Sequence, residues 1–152
     1  MHQVVKTYGN ERGLSCCFRQ WRAESHCNLL HGYAIGVEIT FESEKLDHRN
    51  WVVDFGAMDA VKEAIEEFFD HTLLIADDDP KKSMFLEMQT LGVAKVHVLK
   101  AVGCEAFAEF IYWMVSGWLT TYLTDNKIPH AVNVAKVRVF EHAANAATYI
   151  PE

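Results

Sequence analysis

A thiol and two imidazoles lie close together in the segment 25–33, and side chains of these kinds bind zinc or carry out nucleophilic and acid–base chemistry. The segment reads Ser-His-Cys-Asn-Leu-Leu-His-Gly-Tyr, so Cys27 lies between His26 and His31. A second candidate is the pair Asp70–His71, because a carboxylate beside an imidazole can orient the ring and stabilise its charged form. Together the two groups predict an active site assembled from separate elements.

The hydrophobic pattern places both groups at the ends of regular elements. It predicts a first strand at 14–21 and a second at 33–42, where apolar and polar residues alternate. The connection between these strands contains Cys27. Asp54 is a suitable N-cap for a helix with an apolar stripe at three- and four-residue spacing, and Asp70–His71 ends that helix.

The remainder of the chain contains further elements of both kinds. An exposed acidic loop is predicted at 77–79, and Pro80 can begin a short helix after it. A short strand at 96–99 precedes a second long helix, which starts at Gly103 and has a wide apolar face. A last strand is predicted at 132–141.

This order of elements predicts an α+β fold in which two long helices cover one face of an antiparallel four-stranded sheet. The length fits a single domain, 1–152. Unpaired edge strands of such a sheet are prone to aggregation, and joining subunits edge to edge removes them. We therefore expect a homo-oligomer.

Composition narrows the possible partners and the compartment. Half of the residues are hydrophobic and the net charge is −7, which argues against binding to nucleic acid or to an anionic membrane surface. No segment approaches the roughly 20 apolar residues needed to span a bilayer. The N-terminal segment does not resemble a secretory signal, so we expect a cytoplasmic protein whose four cysteines are reduced.

Five short segments, in order along the chain, resemble the 6-pyruvoyltetrahydropterin synthase / 6-carboxytetrahydropterin synthase family. They are 27–33 (Cys-Asn-Leu-Leu-His-Gly-Tyr), 52–55 (Val-Val-Asp-Phe), 69–71 (Phe-Asp-His), 103–105 (Gly-Cys-Glu) and 139–141 (Val-Phe-Glu). The resemblance implies the tunnelling fold, in which subunits, commonly six, build a barrel and active sites form between them. It also implies a small-molecule pterin substrate and a zinc ion.

The resemblance also assigns roles to individual residues. Cys27 matches the cysteine that removes and returns protons on the substrate side chain, and Asp70 and His71 match the pair that works with it. Glu141 matches the pterin anchor, since a carboxylate can accept two parallel N–H bonds from a pterin ring. Glu105 matches an acid beside the same pocket, although a glutamate in the first turn of a helix is also favoured by the helix dipole alone.

The zinc ligands depart from the family pattern. The family uses one histidine on the first strand and both histidines of a His-x-His motif. His31 matches the first histidine of that motif, whereas Tyr33 stands in place of the second and Phe18 in place of the strand histidine. Two interpretations stay open: replacement ligands complete the site, or the metal site is lost. The candidate replacements are His26, Cys16, Cys17 and Tyr33.

Three functions follow from this pattern. The first is a 6-carboxy-5,6,7,8-tetrahydropterin synthase-like lyase that acts on 7,8-dihydroneopterin triphosphate for 7-deazaguanine and queuosine synthesis. The second is a related pterin enzyme, such as a 6-pyruvoyltetrahydropterin synthase or an aldolase-like enzyme. The third is a pterin or purine binder without catalysis. Phe18 and Tyr33 favour the binder, whereas Cys27 with Asp70 and His71 favours an enzyme, because a binder does not need a reactive thiol.

Overall fold

The computed structural model describes residues 1–152 and contains seven strands and three α-helices. The strands are β1 His2–Tyr8, β2 Leu14–Phe18, β3 His31–Ser43, β4 Thr72–Ala76, β5 Lys95–Leu99, β6 Asn133–His142 and β7 Asn145–Tyr149. The helices are α1 Asp59–Phe69, α2 Lys82–Thr90 and α3 Cys104–Asp125. Three short 3-10 helices lie at Asn10–Arg12, His26–Asn28 and Phe55–Met58.

The 13-residue strand β3 is the centre of the sheet. Its first part pairs antiparallel with β2, and its later part pairs antiparallel with β1 on the same edge. The opposite edge of β3 pairs with β6, which in turn pairs with β7. Beyond β2, the strands β4 and β5 extend the sheet in parallel orientation. The sheet is therefore mixed.

The structure confirms the α+β class but not the antiparallel sheet of four strands. The strand β1 was not predicted. The strand β4 was not predicted either, because its five residues are all buried and therefore lack a period of two. The strand β7 consists largely of small residues and follows β6 after a two-residue turn. The predicted first strand ends early, at Phe18, where the chain leaves the sheet.

The two long helices form the core against one face of the sheet. The ring of Phe107 on α3 contacts Phe18 on β2 edge to face, with ring centroids 5.2 Å apart, and Phe69 of α1 at 5.3 Å. All three rings are buried. Burying a ring of this size contributes about 2 kcal/mol, so this aromatic contact joins both helices to β2. None of the helices has the length and apolar character needed to cross a membrane.

Asp54 acts as a cap, as predicted, but on a short 3-10 helix. Its carboxylate accepts the N–H of Gly56 at 2.9 Å, and the 3-10 helix Phe55–Met58 then leads directly into α1. The second long helix begins after Gly103, whose φ of 115° favours glycine because it has no Cβ. The side-chain amide of Gln20 lies where a Cβ would be and donates to the carbonyl of Val102 at 2.7 Å.

Candidate active site

Three aromatic rings form a cluster on the core side of the sheet, at the end of the β2–β3 hairpin. Phe18 pairs across the strands with His31, and Tyr33 lies two residues further on, on the same face as both. The ring centroids are 5.2 Å apart for Phe18 and His31, 5.6 Å for His31 and Tyr33, and 6.2 Å for Phe18 and Tyr33. These are the three positions at which the family pattern expects zinc-binding histidines.

The backbone around Cys27 is held by several hydrogen bonds. Ser25 caps the 3-10 helix His26–Asn28 and accepts the N–H of Cys27 at 3.4 Å. The N–H of Gln20 donates to the carbonyl of Cys27 at 2.9 Å, and Arg19 donates to the carbonyl of Asn28 at 3.2 Å. The half-buried Cys27 thiol is therefore presented from a fixed segment beyond the end of β2.

An ion pair braces this segment. The guanidinium of Arg19 donates two hydrogen bonds to Asp79, both of 2.8 Å. Asp79 is 5% exposed, and the hydrogen bonds from Arg19 hold its pKa below the ordinary carboxyl value. The prediction of an exposed acidic loop at 77–79 is thus wrong for Asp79. Sequence reasoning missed this pair because the two residues lie 60 positions apart. Arg19 does interrupt the apolar run of the predicted first strand, 14–21.

Glu141 lies at an irregularity in the pairing of β6 with β7, between Phe140 and His142. A bulge of this kind turns a side chain away from the regular alternation. The side-chain amide of Asn10 fixes the backbone there, donating to the carbonyl of Glu141 at 3.2 Å and to that of Ala34 at 2.6 Å. The backbone of the half-buried Glu141 is therefore fixed near the aromatic cluster.

The charge of Glu141 reaches Cys16, Tyr33 and Cys104. Burial, and then this charge among others, raises the pKa of Cys104 and of Cys16 to about 12. These two thiols are protonated at neutral pH and are poor nucleophiles. Burial also raises the pKa of Tyr33, followed by the charges of Glu141 and Cys27. Glu105, at the start of α3, contributes to the raised pKa of Cys104 and so belongs to the same region.

We refer to Cys27, Phe18, His31, Tyr33 and Glu141 as the recess. The three rings contact one another, and Cys27 and Glu141 lie close enough to Tyr33 for their charges to raise its pKa. Glu105 lies at the border of the recess. A cavity of about 710 Å³ lies elsewhere: it is lined by residues 1–4, 46 and 50–56 and contains none of the predicted site residues.

Asp70 and His71 lie outside the recess. Asp70 accepts the backbone N–H of Ser15 at 3.1 Å and contacts Nδ1 of His71 at 2.9 Å. Burial opposes ionisation of Asp70, but the hydrogen bonds from Ser15 and His71 outweigh it and lower the pKa of Asp70. His71 has a φ of 53°, in the left-handed region, and its side chain is 84% exposed. A non-glycine residue in this conformation is uncommon and costs free energy, which is typical of functional positions.

The His71 side chain lies on the opposite face of the sheet. It lines a hollow of about 280 Å³ with Ser15, Cys17 and Gly32. In the strands, these three residues alternate with the core-facing residues of the recess. We call this the His71 hollow. No hydrogen bond connects Cys27 to Asp70 or His71 within the chain, so a single subunit does not assemble the predicted catalytic group.

The residues at the metal positions do not fit a three-histidine zinc site. Phe18 has no donor atom. Nδ1 of His31 lies 2.7 Å from the carbonyl of Leu29, which orients the ring and leaves its Nε2 as the one imidazole nitrogen of the cluster available to a metal. His26 is exposed, and no three His, Cys, Asp or Glu side chains are close enough together to hold a metal ion.

Comparison with known proteins places this geometry in a family. The family model described as 6-pyruvoyl tetrahydropterin synthase matches residues 9–152. A 6-carboxy-5,6,7,8-tetrahydropterin synthase from Aquifex aeolicus is 31% identical over 160 aligned positions, which cover 99% of this chain and 91% of the relative. The enzyme of that name from Rickettsia felis is 35% identical over 65 residues, 42% of this chain, and the chain spans just under half, 47%, of that relative.

Solved structures share the fold. An uncharacterized protein from Wolinella succinogenes has a TM-score of 0.81 at 20% identity, covering 99% of this chain and 98% of that one. The 6-pyruvoyl tetrahydropterin synthase of Plasmodium falciparum has a TM-score of 0.64 at 12% identity, covering 97% and 96%. The family match over residues 9–152 and the Aquifex relative together show that the chain belongs to the 6-pyruvoyl tetrahydropterin synthase family.

Proposed function

We propose that the chain is a pterin lyase that converts 7,8-dihydroneopterin triphosphate into 6-carboxy-5,6,7,8-tetrahydropterin, a precursor of 7-deazaguanine and queuosine synthesis. The observation that carries this proposal is the recess, where a carboxylate and a half-buried thiol lie at one end of the sheet. The name of the Aquifex relative supports the choice of product.

Glu141 is the proposed anchor for the pterin ring. An ionised carboxylate can accept two parallel N–H bonds from the 2-amino group and the ring nitrogen, and bonds of this charge-assisted kind are strong and directional. The bulge at Glu141 and the hydrogen bonds from Asn10 fix the backbone of this residue, so less conformational entropy is lost when the pterin binds. This pre-organisation favours one orientation of the ring, with its side chain toward Cys27.

Cys27 is the proposed group that exchanges protons with the substrate side chain, and Asp70–His71 is the proposed partner. Because the thiol lies in the recess and the imidazole lies on the other face, the pair requires a second subunit whose His71 hollow meets the recess of the first. The homo-oligomer, a hexamer by family resemblance, would thus form its active sites between subunits. The exposed His71 side chain is consistent with such a contact.

A second candidate is a pterin-binding protein without turnover. The specific observation that favours it is the aromatic cluster, in which Phe18 and Tyr33 replace two zinc-binding histidines. The recess would then recognise a pterin through Glu141 while the chemistry of its relatives is lost.

The test is incubation of the purified protein with 7,8-dihydroneopterin triphosphate, with the products identified by mass spectrometry. We expect 6-carboxytetrahydropterin from the unmodified chain and none from Cys27→Ala. A 6-pyruvoyl product would retain the family chemistry and change the product assignment. If no product forms while 7,8-dihydroneopterin binds, the lyase proposal is wrong and the binder is correct.

A further inference from the structure

The aromatic cluster of the recess keeps the spacing of a metal site although it lacks the ligands. Three imidazoles around a tetrahedral zinc, with Zn–N bonds of about 2.1 Å, have ring centroids about 5 Å apart. The three rings at these positions are separated by 5.2, 5.6 and 6.2 Å. The strand register therefore places the three rings close enough together to surround one ion, although two of the side chains lack an imidazole.

Phe18 closes one of the three positions. Its ring is 2% exposed and packs edge to face on Phe107, with centroids 5.2 Å apart. A metal bound by His31 on this side would contact a carbon ring in place of a nitrogen donor. The thiols of Cys16 and Cys104 are buried, and neither belongs to a group of three side chains that could hold a metal ion.

Tyr33 brings a different capacity to the recess. Its phenol O–H can donate one hydrogen bond to a ligand. The ring is positioned by an edge-to-face contact with His31 and lies 6.5 Å from His142. A tyrosine hydroxyl carries its proton at neutral pH and can donate it to a ligand oxygen.

We propose that this recess works without a metal and that the Tyr33 hydroxyl donates a hydrogen bond to a side-chain oxygen of the bound pterin. The inference rests on the proposed pterin substrate. It assigns to Phe18 the closing of the metal position and to Tyr33 the stabilising contact that a cation would otherwise make.

The first proton transfer of the proposed reaction balances without a metal. The Cys27 thiolate takes a proton from a side-chain carbon, so that a C–H bond breaks and an S–H bond forms. The electron pair left on the carbon moves into the C6=N5 double bond of the dihydropterin ring, and N5 takes up a proton from water. A neutral O–H donor to the hydroxyl oxygen on that carbon orients the side chain and withdraws electron density, which makes the C–H bond more acidic.

Metal analysis tests the first half of the proposal without any activity measurement. After incubation with excess zinc and desalting, we expect the unmodified protein to hold substoichiometric zinc and the double variant F18H+Y33H to hold about one ion per subunit. Stoichiometric zinc in the unmodified protein would overturn the proposal. Zinc titration of the unmodified protein decides this point even if the double variant does not fold.

Ligand binding tests the second half. The probes are 7,8-dihydroneopterin, which has side-chain hydroxyls, and 6-methyl-7,8-dihydropterin, which has none. Tyr33→Phe should weaken the first by about five- to tenfold, the effect of one hydrogen bond, and leave the second unchanged. The control is Tyr112→Phe, in which a half-buried hydroxyl on α3 is removed outside the recess, and we expect no change with either probe.

The outcomes separate the two proposals. Unchanged affinity of Tyr33→Phe for 7,8-dihydroneopterin would overturn the hydrogen bond, as would an equal loss with both probes. If the unmodified protein binds neither pterin, the proposed function fails, and the Tyr33 contact fails with it. Zinc uptake by the unmodified protein would overturn the metal-free recess alone and leave the pterin function in place.

Discussion

The recess and the His71 hollow lie on opposite faces of the same two strands, β2 and β3, and they are held in different ways. In the recess, the Cys27 segment is fixed by backbone hydrogen bonds and by the Arg19–Asp79 pair, and Asn10 fixes the backbone of Glu141. In the hollow, His71 is 84% exposed and its ring has one partner, Asp70. One half of the proposed site is thus complete within a subunit, and the other is presented outward.

This difference suggests how the work is divided. Binding a pterin requires directed donors and acceptors in fixed positions, and we propose that Glu141 and Tyr33 of the recess supply them. Proton transfer between Cys27 and His71 requires the two faces to meet, which one subunit cannot provide. We therefore expect substitutions in the recess to divide into those that affect chemistry and those that affect binding or stability.

The largest effect is expected from Cys27→Ala, which removes the proposed proton-transfer group. Turnover of 7,8-dihydroneopterin triphosphate should fall by about a thousandfold or more, on the scale of general acid–base catalysis. The affinity for 7,8-dihydroneopterin, measured by calorimetry, should change little because Glu141 still holds the ring. A parallel loss of affinity would show that Cys27 serves the structure of the recess instead of the chemistry.

Glu141→Gln should weaken pterin binding by about 10- to 100-fold, since it replaces charge-assisted hydrogen bonds with neutral ones and introduces a competing donor. The matched control is Glu109→Gln, which changes an exposed carboxylate on α3. Equal affinities in the two variants would remove Glu141 from the site and limit the recess to Cys27 and the rings.

Asp79→Asn should lower the free energy of unfolding by about 3 kcal/mol at neutral pH, because it leaves Arg19 without its charged partner. Its pKa is lowered in the folded state, so this contribution is complete above the unfolded carboxyl value of about 4 and is lost as the pH falls through the folded value. Urea denaturation at several pH values measures both effects. Asp77→Asn, at an exposed pair with Lys82, is the control and should cost less than about 1 kcal/mol.

The smallest effect is expected from Asn10→Ala. The loss of its hydrogen bonds to the carbonyls of Ala34 and Glu141 frees the bulge, and pterin affinity should fall by about fivefold while the fold is kept. Calorimetry with 7,8-dihydroneopterin measures this. An unchanged affinity would mean that the β6–β7 pairing alone positions Glu141.

Local signals were sufficient to predict part of this molecule. The motif around Cys27, the Asp70–His71 pair at a helix end and the two long helices depend on near neighbours in sequence. The burial of Asp79 depends on Arg19, 60 residues away, and no local pattern records such a partner. The strands β4 and β7 were missed because a fully buried run and a run of small residues lack the alternation that marks a strand.

The placement of Cys27 and His71 on different faces of the sheet could not be predicted from the sequence either. That Cys27 and His71 lie on different sides of the sheet follows from the parallel pairing of β4 with β2, which places Thr72 beside Cys16. Parallel neighbours far apart in sequence are not specified by the hydrophobic pattern of either strand. The replacement of two family histidines by Phe18 and Tyr33 is visible in the sequence. The contact of these two rings with His31 became visible only with the register of β2 and β3.

The central claim is that the site forms between subunits, and mixing two inactive variants tests it most directly. Cys27→Ala retains His71, and His71→Asn retains Cys27, with asparagine chosen because it tolerates the left-handed backbone. After the two are unfolded and refolded together, random assembly should restore about a quarter of the turnover of the unmodified protein. If the mixture stays as inactive as each parent although hybrid oligomers form, the shared site is contradicted.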